Sequence, residues 1–456
     1  MADNAPLNAR TDAILRRLVR KEAGASLRTV LAKARPEDIA AAMEHLLHDE
    51  QRKLFSSIED KNAAATVLVH LGQDAVREVA RDMTKEQVVD LLDRMEPDDA
   101  TDVVEMLPDE LRRRVISDIN NTEEVELANL LAYPPETAGG IMSPLVFKLS
   151  EDHSCGDAIA ELQAHAEELE SVFYLYVVDV RDRLTGIVSL RSLLVHPPTT
   201  PLVSIMHRDV IAVGPLQDQE EVARFVARYD LLAVPVVDEE RRLLGIVTVD
   251  DVVDVIRDEA AEDMMLMAGV PEEADVIRAA PARLARMRAS WLMATLVGGV
   301  VASELVTYYD GLGKELVLLA AFLPVVMGMG GNVGTQSATI AVRGLATGHL
   351  EIGGAWSFLW RELRVGLMLG AGFGAVLGVY SLARHWPSVT QGLLVAISLP
   401  ISLTLASLWG AGVPMAMSRA GVDPAIATGP VVATTLDVVG ILVYFNVAIL
   451  VLQALS

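Results

Sequence analysis

"MGMGGNVGTQSATI", Met327–Ile340, places four glycines and two amides inside an apolar run that begins near Leu316. From Leu316 to Val342 there is no charged side chain, which reads as a helix long enough to cross about 30 Å of hydrocarbon. Lipid penalises polar groups without partners, and irregular backbone survives there only where it is buried in protein or lines water. Read as a helix, the stretch puts Pro324, Gly328, Asn332 and Gln336 on one slowly drifting stripe, with Gly330, Gly334 and Ala338 on a second. Pro324 removes a backbone donor and frees a carbonyl one turn earlier. Two readings fit: a glycine-rich contact with amides bonding between helices, or the wall of a polar pathway.

Working outward, five spans are expected, at about Trp291–Tyr309, Leu316–Val342, Val365–Ala383, Leu393–Met417 and Pro424–Leu455. Arg283, Arg286, Arg288, Arg343, Arg361, Arg364 and Arg419 flank one side, and only Lys314 and Arg384 the other. The positive side faces the cytoplasm, so the expected orientation is N-terminus inside and C-terminus outside. Gly366, Gly370, Gly374 and Gly378 form a small-residue stripe suited to helix packing. Five helices are few to enclose a path, and a two-fold dimer would complete one.

The last expected span, "GVDPAIATGPVVATTLDVVGILVYF", contains Asp437, thirteen residues beyond Pro424 and so expected near the bilayer middle. An intramembrane carboxylate is expensive and functional by default, and its sign favours a cation. Pro430, Thr434 and Asp437 share a face. The oxygen donors around them suit a hard ion such as hydrated Mg2+, without separating it from Mn2+, Ca2+ or Co2+. Asp423 before Pro424 reads as a helix cap, with a cation site at the inner mouth as the other reading.

The chain has 62 acidic and 38 basic residues. Seven and six of these follow Ser290, leaving 55 and 32, a net of −23, before it. This argues against nucleic acid and anionic lipid as partners of the front half and favours cations. Cys155 is the one cysteine, so no disulfide within the chain can form. The polar, charged opening "MADNAPLNARTDAILRRLVRKE" is not read as a signal peptide, and the front half is expected in the cytoplasm.

An internal repeat is visible: "YLYVVDVRDRLTGIVSLRSLL" and "LAVPVVDEERRLLGIVTVDDVV" pair Asp179 with Asp238 and Gly186 with Gly245, both 59 residues apart. The starts "GGIMSPLVF" and "VSIMHRDVI" also echo. This resembles a tandem pair of CBS domains, over about Ala138–Arg257. The resemblance implies one nucleotide site, at Thr248 and Asp251, since the first copy has Ser192 where the Asp would fall; ATP there is left open. From about Leu31 to Leu131 the chain reads all-helical, with starts at "RPEDIA", "TKEQVV" and "EPDDAT". Asp98, Asp99 and Asp102 cluster beyond what capping needs. In "VDDVVDVIRDEAAEDMMLMAGV", Asp254 and Asp258, Asp258 and Glu262, and Glu259 and Asp263 are like charges four apart, which destabilise a helix unless something compensates.

The whole chain resembles the MgtE family of magnesium channels, most specifically in "GMGGNVGTQSAT" and "GVDPA…P…AT…D…G". The resemblance implies a multidomain homodimer with an all-α superhelical N domain, an α/β CBS pair, a connecting plug helix and five spans in the inner membrane. The expected boundaries are an N-terminal segment 1–30, N domain 31–134, first CBS domain 135–200, second 201–257, plug and linker 258–285, and membrane domain 286–456. It further implies that Asp437 binds a hydrated Mg2+ in the pore, lined by Asn332, Gly328 and Ala433. The implied cytosolic Mg2+ sensor comprises Asp98, Asp102, Asp218, Glu220, Asp230, Asp251, Asp254, Glu259, Glu262, Asp263 and Asp423. Gly429 departs from an asparagine the family can carry there. The function implied is Mg2+ uptake gated by cytosolic Mg2+, and the rival is a CBS-regulated carrier coupled to protons or Na+. No paired nucleophile and base and no phosphate loop suggest an enzyme.

Overall fold

A computed structural model describes residues 7–21, 24–119, 125–165, 169, 172–270, 281–310, 321–348, 350, 354–384, 389–427 and 429–455. These form two compact units that meet in sequence between Arg257 and Asp258.

In the front unit the chain restarts a helix every twelve or thirteen residues from Gly24 to Asp109. After α1 (Leu7–Arg20) and α2 (Gly24–Leu31) come α3 (Pro36–Met43), α4 (His48–Phe55), α5 (Lys61–Val69), α6 (Gln73–Ala80), α7 (Lys85–Leu92), α8 (Pro97–Met106), α9 (Asp109–Ile119) and α10 (Val125–Leu130). The restarts are chemical. Pro36 and Pro97 open α3 and α8, and the Asp60 carboxylate accepts from Asn62 N at 3.0 Å. At α7 the Thr84 hydroxyl and the Gln87 side chain cap reciprocally. Alternate helices pack, α3 on α5, α4 on α6, α5 on α7, α6 on α8 and α7 on α9. Ile39, Met43, Leu54, Val67, Val76 and Val104 fill one core, joined by Leu15 and Val19 of α1.

The repeat is structural as well as textual. β1 (Lys148–Ser150), α11 (Cys155–Ala164), β2 (Tyr174–Val178), β3 (Leu184–Ser189) and α12 (Leu190–Val195) make the first copy. α13 (Gln219–Tyr229), β4 (Ala233–Val237), β5 (Leu243–Thr248) and α14 (Val249–Met267) make the second, whose opening strand is reduced to a bridge, Val213–Val236. Both hairpins pair antiparallel in the same register, Val177 with Gly186 and Val236 with Gly245, with an irregularity at the same step. Asp182 and Arg241, 59 apart, both take positive φ in the turns. The two echoing starts cross over: Ser143 exchanges backbone bonds with Ile246, and His207 with Ile187. Gly186 and Gly245 make this possible, because a Cβ at Gly245 would stand 2.7 Å from Ser143 O and one at Gly186 3.0 Å from His207 O. The signature glycine is therefore a docking point for the other copy's opening segment.

The back unit is helical: α15 (Pro281–Asp310), α16 (Leu323–Ala346), α17 (Ala355–Arg384), α18 (Val389–Arg419), a short 3-10 turn (Pro424–Ala427) and α19 (Pro430–Leu455). Among the described residues four stretches are long and apolar enough to cross a membrane: Trp291–Tyr309, Ala355–Ala383, Gly392–Arg419 and Val431–Ala454. The expected second span is a helix of 24 residues, but its glycines and amides dilute it below the other four. Its expected start at Leu316, like Lys314, lies outside the described residues. The glycine stripe of α17 packs on α18 as its pattern implies: a Cβ at Gly370 would meet Pro400 Cα at 2.4 Å, and one at Gly366 would meet Thr404 Cα at 2.7 Å.

Candidate functional site

The opening stretch resolves into two faces of α16. Val333, Gly334, Ser337, Ala338 and Ala341 are buried. Pro324, Gly328, Asn332 and Gln336 are all exposed. Gly334 serves packing, for α18 brings Gly410 against it so closely that a Cβ on Gly410 would stand 2.1 Å from Gly334 O. Gly328, Gly330 and Gly331 do not serve packing within the chain, since a Cβ at any of them would meet nothing within 4 Å. The glycines of the exposed face instead leave backbone open.

The expected last span is longer than a membrane crossing needs, and it breaks near its start. It is not one helix from Pro424. The chain makes a 3-10 turn at Pro424–Ala427, where the Asp423 carboxylate accepts from Ala425 N at 2.8 Å, and restarts at Pro430. Asp437 therefore lies seven residues into α19, about 10 Å along it, shallower than the expected midpoint. Asp437 and Ala433 are half-buried. Thr434 is turned to α15: its hydroxyl donates to Thr295 Oγ1 at 3.5 Å, and its methyl lies against Gly298.

At the foot of α19 a Cβ on Gly429 would stand 2.6 Å from Met267 O. The end of α14 thus lies directly on this glycine, and no asparagine fits there while it does. Beside it, burial raises the Asp263 carboxyl, helped by the charge of Asp423.

In the front unit the structure gathers α8 and the start of α14, whose last ten residues, from Asp258, belong to the back unit. Asp98 is buried; Asp102 keeps much of its surface exposed, yet protein crowding around its carboxylate pushes its pKa up to about 7, with the charges of Glu105, Asp98, Asp99 and Asp251 adding to it. Burial also raises Glu105, against Arg112. Several of the other expected acids also have local partners. Asp218 caps α13 by accepting from Glu220 N at 2.8 Å, Glu220 pairs with Arg224 at 3.6 Å, and Asp230 ends α13 in the left-handed region. Asp254 pairs with Arg257 at 3.1 Å, and Glu259 and Glu262 are half-buried. Among the described residues no three His, Cys, Asp or Glu side chains converge as a metal cage. A strongly hydrated ion held by one or two carboxylates needs none. At the second CBS copy the buried Thr248 hydroxyl donates to Asp251 at 2.6 Å, whereas Ser189 in the first copy caps α12 by accepting from Ser192 N at 3.2 Å.

The sequence reading missed Glu362. Its carboxylate is buried between α16, α17 and α18, where Ser337 donates to Oε2 at 2.7 Å and Ser407 at 2.9 Å. A span starting at Val365 puts Glu362 outside it, between the flanking Arg361 and Arg364, whereas α17 begins ten residues earlier. The aromatic run Trp356, Phe358, Trp360 was the available signal that the helix had already begun.

Relatives place this architecture. The magnesium transporter MgtE of Thermus thermophilus is 36% identical over 436 residues, covering 94% of this chain and 96% of its own length. The chain belongs to the MgtE family. The MgtE family model, described as a divalent cation transporter, matches residues 323–447; the MgtE intracellular N domain matches 34–136, and CBS domains match 138–197 and 202–258. The Bacillus subtilis magnesium transporter MgtE is 31% identical over 421 residues, covering 92% of this chain and 93% of its own. A solved cytosolic domain of the Mg2+ channel MgtE, in complex with ATP, is 33% identical, covers 54% of this chain and 99% of its own, and has a TM-score of 0.49.

Proposed function

We propose that this protein carries Mg2+ across the inner membrane, along the exposed face of α16 and past Asp437, under control of cytosolic Mg2+. The observation that carries this is the exposed Gly328–Asn332–Gln336 face on a helix whose opposite face is packed. Amides turned to lipid would be costly, so water or a second copy of the chain covers them. A two-fold homodimer supplies that cover and sets two Asp437 carboxylates about one axis. On this reading α16 is the fifth crossing, the front unit is cytoplasmic and the C-terminus is outside. Cytosolic Mg2+ acts at the α8–α14 acids and at Asp263 with Asp423, where like charges crowd. Thr248 and Asp251 are the residues that would hold ATP in the second CBS copy.

Mg2+ influx into proteoliposomes holding an internal Mg2+ dye tests the transport reading. Influx is expected down the Mg2+ gradient alone; a requirement for a pH or Na+ gradient would replace the channel by the coupled carrier.

The acid cluster predicts a pH dependence. Asp102 has a folded pKa raised from 3.8 to about 7, so the folded protein holds a proton that the unfolded chain releases between those values. Its contribution to stability is favourable at low pH and is lost as pH rises through that window. Mg2+ competes with this proton. The internal Mg2+ that half-protects the cytosolic part from protease should rise roughly tenfold from pH 8 to pH 6. Asp102→Asn should flatten that dependence; a flat profile in the native chain would remove Asp102 from the sensor.

A further inference from the structure

We propose that Glu362 is a positioning residue for the ion path, clamping the buried side of α16 to α17 and α18 so that the Asn332–Gln336 face stays turned outward. The inference rests on the reading that this face lines the path.

The clamp is a three-helix junction. Glu362 is 3% exposed. Its Oε2 accepts from the hydroxyls of Ser337 on α16 and Ser407 on α18, which themselves lie 3.0 Å apart. Ser407 is also 3.1 Å from the Glu362 carbonyl, and Arg361 stands 3.9 Å from Oε1. Close backbone contact surrounds the junction on both sides. Gly410, one turn beyond Ser407, lies against Gly334, one turn before Ser337. Gly366, one turn beyond Glu362, would place a Cβ 3.1 Å from Ser407 Cβ. The glycine contacts set how near the helices come, and Leu323, Val326 and Val333 of α16 pack with Leu399 and Leu403 of α18 farther along, so at this level direction depends on polar bonds. The carboxylate adds a directional constraint, because it accepts from Ser337 and Ser407 together and ties the three helices at one level. Ser337 is five residues from Asn332, some 140° around the helix, so a bond at Ser337 sets the direction in which Asn332 points.

The clamp needs an acceptor oxygen, not a charge. Gln at 362 offers one oxygen that can accept both hydroxyls. In proteoliposomes, Glu362→Ala, and separately the Ser337→Ala/Ser407→Ala pair, should raise the external Mg2+ for half-maximal influx at least fivefold, while Glu362→Gln stays within twofold of native. If Glu362→Gln fails as Glu362→Ala does, the charge itself is needed and the positioning role is wrong. Unchanged half-saturation in both the Ala variant and the serine pair would also overturn it. A second readout does not depend on flux: in a Cys155→Ala background, the labelling rate of Gln336→Cys by a water-soluble maleimide should fall severalfold when Glu362→Ala is added and recover with Gln. An unchanged rate rejects the clamp. If labelling responds while influx is insensitive to Asp437→Ala, the clamp stands and the path reading fails.

Discussion

Asp437→Ala should cut Mg2+ influx at low external Mg2+ by at least tenfold. A divalent ion passing about 5 Å from this carboxylate, with a water between, gains roughly 2 to 7 kcal/mol for effective dielectrics between about 60 and 20. The lower figure alone exceeds a factor of ten in occupancy. Asp437→Asn separates charge from hydrogen bonding: it should lose influx nearly as far as the Ala variant, since an amide can still bond the ion's water but carries no charge. The measurement is dye-reported influx at low internal Mg2+, with native oligomeric state verified. Equal influx in native and Ala chains would take the path away from α19, and the exposed face of α16 would become an interface between helices.

Position shapes this effect. With α19 restarting at Pro430, Asp437 sits about 10 Å from the helix start rather than in the middle. On the proposed orientation it stands nearer the cytoplasmic mouth, within a few turns of the point where α14 meets Gly429. Ion site and gate are then close neighbours along one helix.

What was legible in the sequence was what periodicity and local chemistry determine. The 59-residue echo fixed two hairpins in one register, and Pro36, Thr84 and Pro97 marked real helix starts. The Gly366–Gly378 stripe packs as read. What escaped depended on neighbours distant in sequence. Nothing local distinguishes Pro424 from Pro430 as the start of the last helix; the break is stabilised by the Asp423 cap and by α14 lying on Gly429. Glu362 between two arginines reads as a solvated charge run, and only the serines 25 residues before it and 45 after it make it a buried acceptor. Asp218, Glu220 and Asp230 carry the right charge for a sensor, yet capping, an ion pair and a left-handed helix end explain their local geometry.

Gly429→Asn should leave the protein open when cytosolic Mg2+ is high. A Cβ at this position stands 2.6 Å from Met267 O, and the obstacle is backbone, so it cannot be relieved by a rotamer change. Restoring ordinary contact requires the last turn of α14 to retreat by close to 1 Å, and the amide beyond the Cβ requires more. Overpacking of this kind costs about 1 to 3 kcal/mol, and here the cost falls only on the state in which α14 lies on Gly429. The closed-to-open ratio should therefore drop roughly 5- to 160-fold, read as residual influx at saturating internal Mg2+ and as a higher internal Mg2+ for half-inhibition. Gly429→Ala should show the same change at smaller size, and Gly372→Ala, where a Cβ meets nothing within 4 Å, should show none. Inhibition unchanged in Gly429→Asn would mean that α14 lying on Gly429 is not the closed gate. Because the variant leaves every acidic residue in place, a shift in half-inhibition would locate the fault in the gate rather than in Mg2+ binding. Protease protection by Mg2+, which reads the sensor alone, should then stay close to native in the same variant.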